Sequence, residues 1–172
     1  INWLKDNDVT MIFEVIDIEH DPHIVEYHSN KIILLDCVYN QFETKYFSYN
    51  ELKLLSEKFD LDCKLVYKEI ADFPDLIERI YSMESSTLEN KEGFVFRDIN
   101  NFQFKFKLPW YKKWKYFRGL KDKFVRGNLK QTFTNIEDIN FINFLKENYA
   151  NNLEELNNKS IIDIRKEIEN NS

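Results

Sequence analysis

Glu92-Gly-Phe-Val-Phe-Arg-Asp-Ile-Asn-Asn-Phe-Gln-Phe-Lys-Phe-Lys107 sets two short runs of β-formers around the polar turn Asp98-Ile-Asn-Asn101. Aromatic and β-branched residues flanking such a turn predict a hairpin with strands at 93–97 and 102–107. Successive side chains in a strand point to opposite faces, so Lys105 and Lys107 share one face and Phe104 and Phe106 the other. Adjacent ammonium groups repel, and packing offers no reason for them. A polyphosphate, or carboxylates such as Glu14 and Glu92, would relieve the repulsion. An acid-glycine pair before a strand is a common turn. Gly93 would also let backbone approach a ligand closely, and Val95 suits one face of a flat base.

Working outward, residues 9–19 (Val-Thr-Met-Ile-Phe-Glu-Val-Ile-Asp-Ile-Glu) read as a strand. Alternation groups Glu14 with Ile12, Ile16 and Ile18, a charge among apolar neighbours that is costly to bury unless a ligand or counter-ion meets it. The plainer reading of Glu14 is an edge-strand glutamate facing water or pairing with a lysine. Asp21-Pro22 signals a turn, after which 23–27 and 31–39 are expected to continue an antiparallel meander. Ser48-Tyr-Asn-Glu51 has capping-box spacing and opens a helix to about Phe59. A short strand near 61–67 and a helix from about Asp72, with Pro74 in its first turn, follow. A polar stretch, 84–91, then leads to the hairpin. Pro109 suits the start of the next helix and Gly119 its end. Thr134-Asn-Ile-Glu137 and Ser160-Ile-Ile-Asp163 look like further helix openings.

The expected architecture is α+β: an antiparallel sheet wall with peripheral helices and a helical carboxyl-terminal annex. Residues 1–126 would form the first part and 127–172 the annex. The 172 residues, 43% hydrophobic, are enough for a sizeable core. No apolar run approaches membrane-spanning length and no signal peptide is visible, so an intracellular, cytoplasmic protein is expected. Cys37 and Cys63 lack a CxxC partner and read as reduced core residues. His20, His23 and His28 straddle a proline turn, share no fixed face, and read as a solvated hairpin tip rather than a metal site.

The net charge of −6 hides a local polarity. Residues 105–118 hold five lysines, one arginine and no acid, which marks a localised anion site in an acidic protein. Lys112, Lys113, Lys115 and Arg118 interleave with Trp110, Tyr111, Trp114, Tyr116 and Phe117. That mixture suits phosphate contacts and base stacking. It equally suits a helix with aromatics on its core face and lysines in solvent.

Together these pieces resemble the bacteriophage-type ATP-dependent RNA ligases of the covalent nucleotidyltransferase superfamily. The resemblance spans about residues 9–118. It rests on Phe13-Glu14-Val15 (the third motif), His23-Ile-Val-Glu-Tyr27 with Lys31-Ile-Ile-Leu-Leu35, Glu92-Gly-Phe-Val-Phe96 (the fourth) and Lys105-Phe-Lys-Leu-Pro-Trp-Tyr111 (the fifth). It implies RNA strand joining in RNA or tRNA repair. A lysine attacks the ATP α-phosphate to hold AMP, AMP passes to an RNA 5′-phosphate, and an RNA 3′-hydroxyl expels it. By the same resemblance Glu14 contacts the ribose, Glu92 helps hold Mg²⁺, Lys105 and Lys107 bind the α-phosphate, and Val95 and Tyr111 lie near the nucleotide. The four charged residues are thus expected to converge around an adenylate. DNA ligase or capping chemistry is a weaker relative of this reading.

One departure matters. The family's Lys-x-Asp-Gly motif should precede the third motif, yet neither it nor Lys-x-Asn-Gly occurs in the sequence. The nucleophile is therefore expected on an amino-terminal portion of the same polypeptide, and the chain alone is expected to be inactive. The alternative is a non-catalytic nucleotide- or RNA-binding module.

Overall fold

A computed structural model describes residues 2–67, 72–83, 90–129 and 132–171. It is a mixed helix and sheet structure with antiparallel sheets, as expected for an α+β chain. Two compact units divide it: residues 1–21 with 27–79, and residues 22–26 with 80–172. Of the polar stretch 84–91, residues 84–89 lie outside the described residues.

In the first unit, helix α1 (Asn2–Asn7) leads into strand β1 (Val9–Ile16), which pairs antiparallel with β2 (Lys31–Tyr39). β3 (Lys45–Tyr46) pairs antiparallel with the far end of β2. Helix α2 (Tyr49–Phe59) follows, then β4 (Asp62–Cys63), which pairs parallel to β2. Val9, Leu34, Cys37, Leu52 and Leu55 form the buried core between sheet and α2. The α2 start is built as its sequence predicts: Glu51 N–H donates to the Ser48 hydroxyl, and Ser48 N–H donates to the Glu51 carboxylate at 2.7 Å. Cys63 packs against the core that contains Cys37.

Three expectations fail in this part of the chain. β1 stops at Ile16 rather than Glu19 because Asp17 turns the backbone, accepting hydrogen bonds from Glu19 N–H (3.0 Å) and His20 N–H (3.1 Å). Residues 23–27 are not a strand of the meander, since Ile24 is instead buried in the helical core of the second unit. The strand near 61–67 shrinks to Asp62–Cys63, with Lys64 N–H still bonded to the Leu34 carbonyl. The alternation also meets an irregularity: the register shifts between Ile12 and Phe13, so β2 carries one residue more than β1 across that point.

Helix α3 (Phe73–Ser82) starts where Pro74 in the first turn predicts. In the second unit, β5 (Gly93–Arg97) and β6 (Gln103–Lys107) form the expected antiparallel hairpin. Its turn is tied by Asp98, whose carboxylate accepts from Asn100 and Phe102 N–H, both at 2.8 Å. Helix α4 (Pro109–Val125) has proline at its first position. Helices α5 (Ile136–Tyr149), α6 (Leu153–Asn158) and α7 (Ile161–Asn170) complete the unit.

Trp114, Phe117 and Leu120 of α4 bury against Phe141, Ile142, Leu145, Leu156, Ile161 and Ile164 of these helices. The rings of Phe117 and Phe141 stack 4.3 Å apart. The aromatic stripe is therefore a helix core face, as its 3.6-residue spacing allows. α4 does not end at Gly119, because burying Leu120 and the half-buried Phe124 in this core outweighs a mid-helix glycine's cost of about 1 kcal/mol. It ends at Gly127, left-handed at φ 65°, whose N–H bonds the Phe124 carbonyl while Asn128 N–H bonds that of Lys123. The α5 cap is Asn135, one residue beyond the expected Thr134, and Ser160 with Asp163 forms the expected box at α7. Among the described residues no helix is long and apolar enough to cross a membrane.

Candidate functional site

β5 and β6 pair Gly93 with Lys107, Val95 with Lys105, and Arg97 with Gln103. Directly paired residues share a face, so Lys105, Lys107 and Val95 stand together. Phe94, Phe96, Phe104 and Phe106 occupy the reverse, where the Phe96 and Phe104 rings stack at 4.9 Å. Val95 is 60% exposed beside Lys105, an apolar surface next to a cation. A two-residue strand step of about 7 Å separates the two lysine Cα atoms. At that spacing unit charges repel by roughly 0.6 kcal/mol in water and ~2 kcal/mol at an effective dielectric of 20.

Glu92 relieves half of that pair. Its carboxylate accepts a hydrogen bond from Lys107 Nζ, and the Tyr111 hydroxyl contributes to lowering its pKa. Tyr111 arrives from the first turn of α4, and its ring lies 5.2 Å from the Lys107 ammonium. Partial burial raises the Glu92 carboxyl, but Lys107, Tyr111 and the charge of Lys105 outweigh it and hold the group below the usual glutamate range. Glu92 is thus an ionised, hard oxygen donor. Lys105 is exposed and makes no ion pair among the described residues.

Gly93 has a different reason from the one its position suggests. A Cβ there would overlap the Phe106 carbonyl oxygen and lie 2.9 Å from Lys107 Cα. The close approach is made by the partner strand itself. No ligand is needed to account for it.

Glu14 lies on β1 in the first unit, opposite Ile33 and on the face of Ile12 and Ile16. It is exposed, as the plainer reading of an edge-strand glutamate facing water has it, beside the exposed Ile12. The basic stretch on α4 is partly committed within the unit. Lys113 pairs with Glu137 at 2.8 Å, and the Arg118 guanidinium donates to the Pro22 carbonyl. Lys112 and Lys115 are exposed and lie 6.0 Å from the Phe106 ring and 5.9 Å from the Tyr111 ring. His20 is bonded to Asp17 at 2.8 Å, and no group of three or more His, Cys, Asp or Glu among the described residues could hold a metal ion. The Tyr111–Glu92 contact carries no signal in the sequence, because it depends on how α4 turns away from β6.

The hairpin face thus brings together two lysines, an exposed apolar side chain and a charged carboxylate. A model of the RNA ligase family matches residues 1–111, which include this whole cluster, and the chain belongs to that family, as the phage-type resemblance implied. No curated protein matches the chain. Helices α5, α6 and α7 follow the matched segment.

Proposed function

We propose that the chain is the part of an ATP-dependent RNA ligase that grips the nucleotide phosphates, acting on RNA with 5′-phosphate and 3′-hydroxyl ends in RNA or tRNA repair. The observation that carries this reading is the Lys105–Lys107 face of the hairpin, with Val95 exposed between the strands' charges and Glu92 kept ionised, inside the family-matched segment. Lys105, which makes no ion pair among the described residues, would meet the α-phosphate. Lys107 exchanges Glu92 for phosphate oxygens when nucleotide arrives, so the ion pair stands in for the ligand's charge. Val95 covers one side of the base. Exposed Lys112 and Lys115 contribute to RNA contacts more than Lys113 and Arg118, which already have partners. The ribose role of Glu14 rests on the family resemblance alone.

The donor set fits magnesium in one mode. A single charged carboxylate, Glu92, suits an ion whose remaining positions are filled by phosphate oxygens and water. Bound there, Mg²⁺ would supply neutralisation of phosphate charge. The absence of Lys-x-Asp-Gly from the sequence supports a chain that does not adenylylate itself, the amine coming from an amino-terminal segment of the same polypeptide. The same absence is what favours the second reading, a nucleotide-binding module without catalysis.

Two measurements separate these. Calorimetric titration with Mg·ATP should show binding by the chain that the Lys105→Ala, Lys107→Ala double variant loses. Equal affinity in both would remove the lysines from the site. Joining the chain to a segment carrying the lysine motif, then adding Mg·ATP, should give an AMP mass adduct. Nucleotide binding without any adduct would leave the module.

A further inference from the structure

The helix Ile161–Asn170 carries apolar residues at 161, 164 and 168, and that stripe places Arg165 where a core residue belongs. Arg165 is only 5% exposed. A guanidinium that deeply buried is costly unless every donor finds use, and here its surroundings are specific. Its guanidinium carbon lies 5.0 Å from the Trp110 ring and 6.0 Å from the Trp114 ring. One terminal nitrogen donates to the Ile24 carbonyl and the other to the Asn90 side chain, each at 3.3 Å. Glu169 stands 3.9 Å from Nε.

Two of these partners flank the hairpin site on either side. Trp110 immediately precedes Tyr111, whose ring lies 5.2 Å from the Lys107 ammonium that pairs with Glu92. Asn90 lies two residues before Glu92 and adopts a left-handed conformation, φ 60°, which asparagine takes readily in turns. We propose that Arg165 is a positioning residue for the Glu92–Lys107–Tyr111 cluster, so that helices beyond the family-matched segment set the geometry of the phosphate-facing hairpin. One side chain fixes both the approach to Glu92 and the first turn of α4. The functional importance of this clamp rests on the nucleotide-binding reading above, but its geometry does not.

The test reads the cluster directly. The side-chain carboxyl carbon of Glu92 is followed by NMR against pH in the full chain and in Arg165→Lys, Arg165→Met and Ile142→Val. Arg165→Lys keeps the charge and loses the forked geometry. Ile142→Val loosens the same core without touching the clamp. Expected is a Glu92 midpoint shifted upward, toward the ordinary glutamate range, in both Arg165 variants and unmoved in Ile142→Val. A wild-type midpoint in Arg165→Lys would show that only charge matters and would overturn the proposal, as would an equal shift in Ile142→Val. If Arg165→Met does not fold, the lysine variant still decides. Mg·ATP titration of the same proteins should weaken about tenfold in the Arg165 variants. No ATP binding by the wild type, with the Glu92 shift intact, would sink the nucleotide reading and leave the clamp standing.

Discussion

Replacing Gly93 with alanine separates a structural glycine from a ligand-facing one. At an unstrained position Gly→Ala stabilises by about 0.4–1 kcal/mol, because the unfolded chain loses freedom. At Gly93 the new methyl would overlap the Phe106 carbonyl and press on Lys107 Cα at 2.9 Å, and both are backbone atoms that no rotamer change can move. Overpacking against a fixed wall costs about 1–3 kcal/mol. Relief requires the Gly93–Lys107 pair to part, which also strains the Leu108 N–H to Glu92 carbonyl bond of 3.1 Å, a contact of about 1 kcal/mol. The net expectation is a loss of about 2–3 kcal/mol in urea unfolding, with faster amide exchange along β5 and β6. Because Glu92 and Lys107 flank the clash, their ion pair should weaken with it. An alanine variant as stable as wild type, impaired only in nucleotide binding, would refute this account and restore a ligand as the reason for the glycine.

Glu92 should also give the chain an acid-sensitive component. Its carboxyl is depressed in the folded protein, so the stability it contributes is present above its ordinary value of 4.5 and disappears as pH falls through the lower folded midpoint. The stability gap between wild type and Lys107→Met, measured by urea unfolding, should therefore narrow on acidification, and a constant gap would contradict the pairing. Gly119→Ala, within α4 and with open space where the methyl would go, should stabilise by about 0.5–1 kcal/mol. Gly127→Ala, at φ 65°, should destabilise by about 1 kcal/mol, and identical signs for the two variants in thermal unfolding would discredit a helix end at Gly127. Ser160→Ala should lose about 1 kcal/mol through the α7 cap, seen as a lower urea midpoint.

Local chemistry makes much of this protein legible. Ser48 with Glu51 and Ser160 with Asp163 announce helix starts because capping is decided within four residues. Asp98 and the flanking β-formers announce the hairpin, and period-two alternation puts Lys105 with Lys107 wherever the hairpin is placed. Gly119 misleads for the opposite reason. Helix propensity near 1 kcal/mol is small beside the burial of Leu120, and that burial depends on α5 and α7, remote in sequence. Residues 23–27 read as a strand, yet Ile24 finds a helical core ninety or more residues away. Alternation puts Glu14 on a face without saying whether anything covers it, and the structure leaves it exposed, as the plainer reading has it.

By itself, then, the order of residues determined the family, the α+β class and the pairing of two cations on one hairpin face, since each follows from neighbours or fixed periodicity. Tertiary structure alone decided that Glu92 pairs with Lys107 beside the Tyr111 ring, that Gly93 serves its partner strand, and that Arg165 lies buried between two tryptophans and Asn90. The longest of these contacts, from Arg165 to Asn90, joins segments 75 residues apart. Their energies depend on burial and on distances that exist only once the helices have packed.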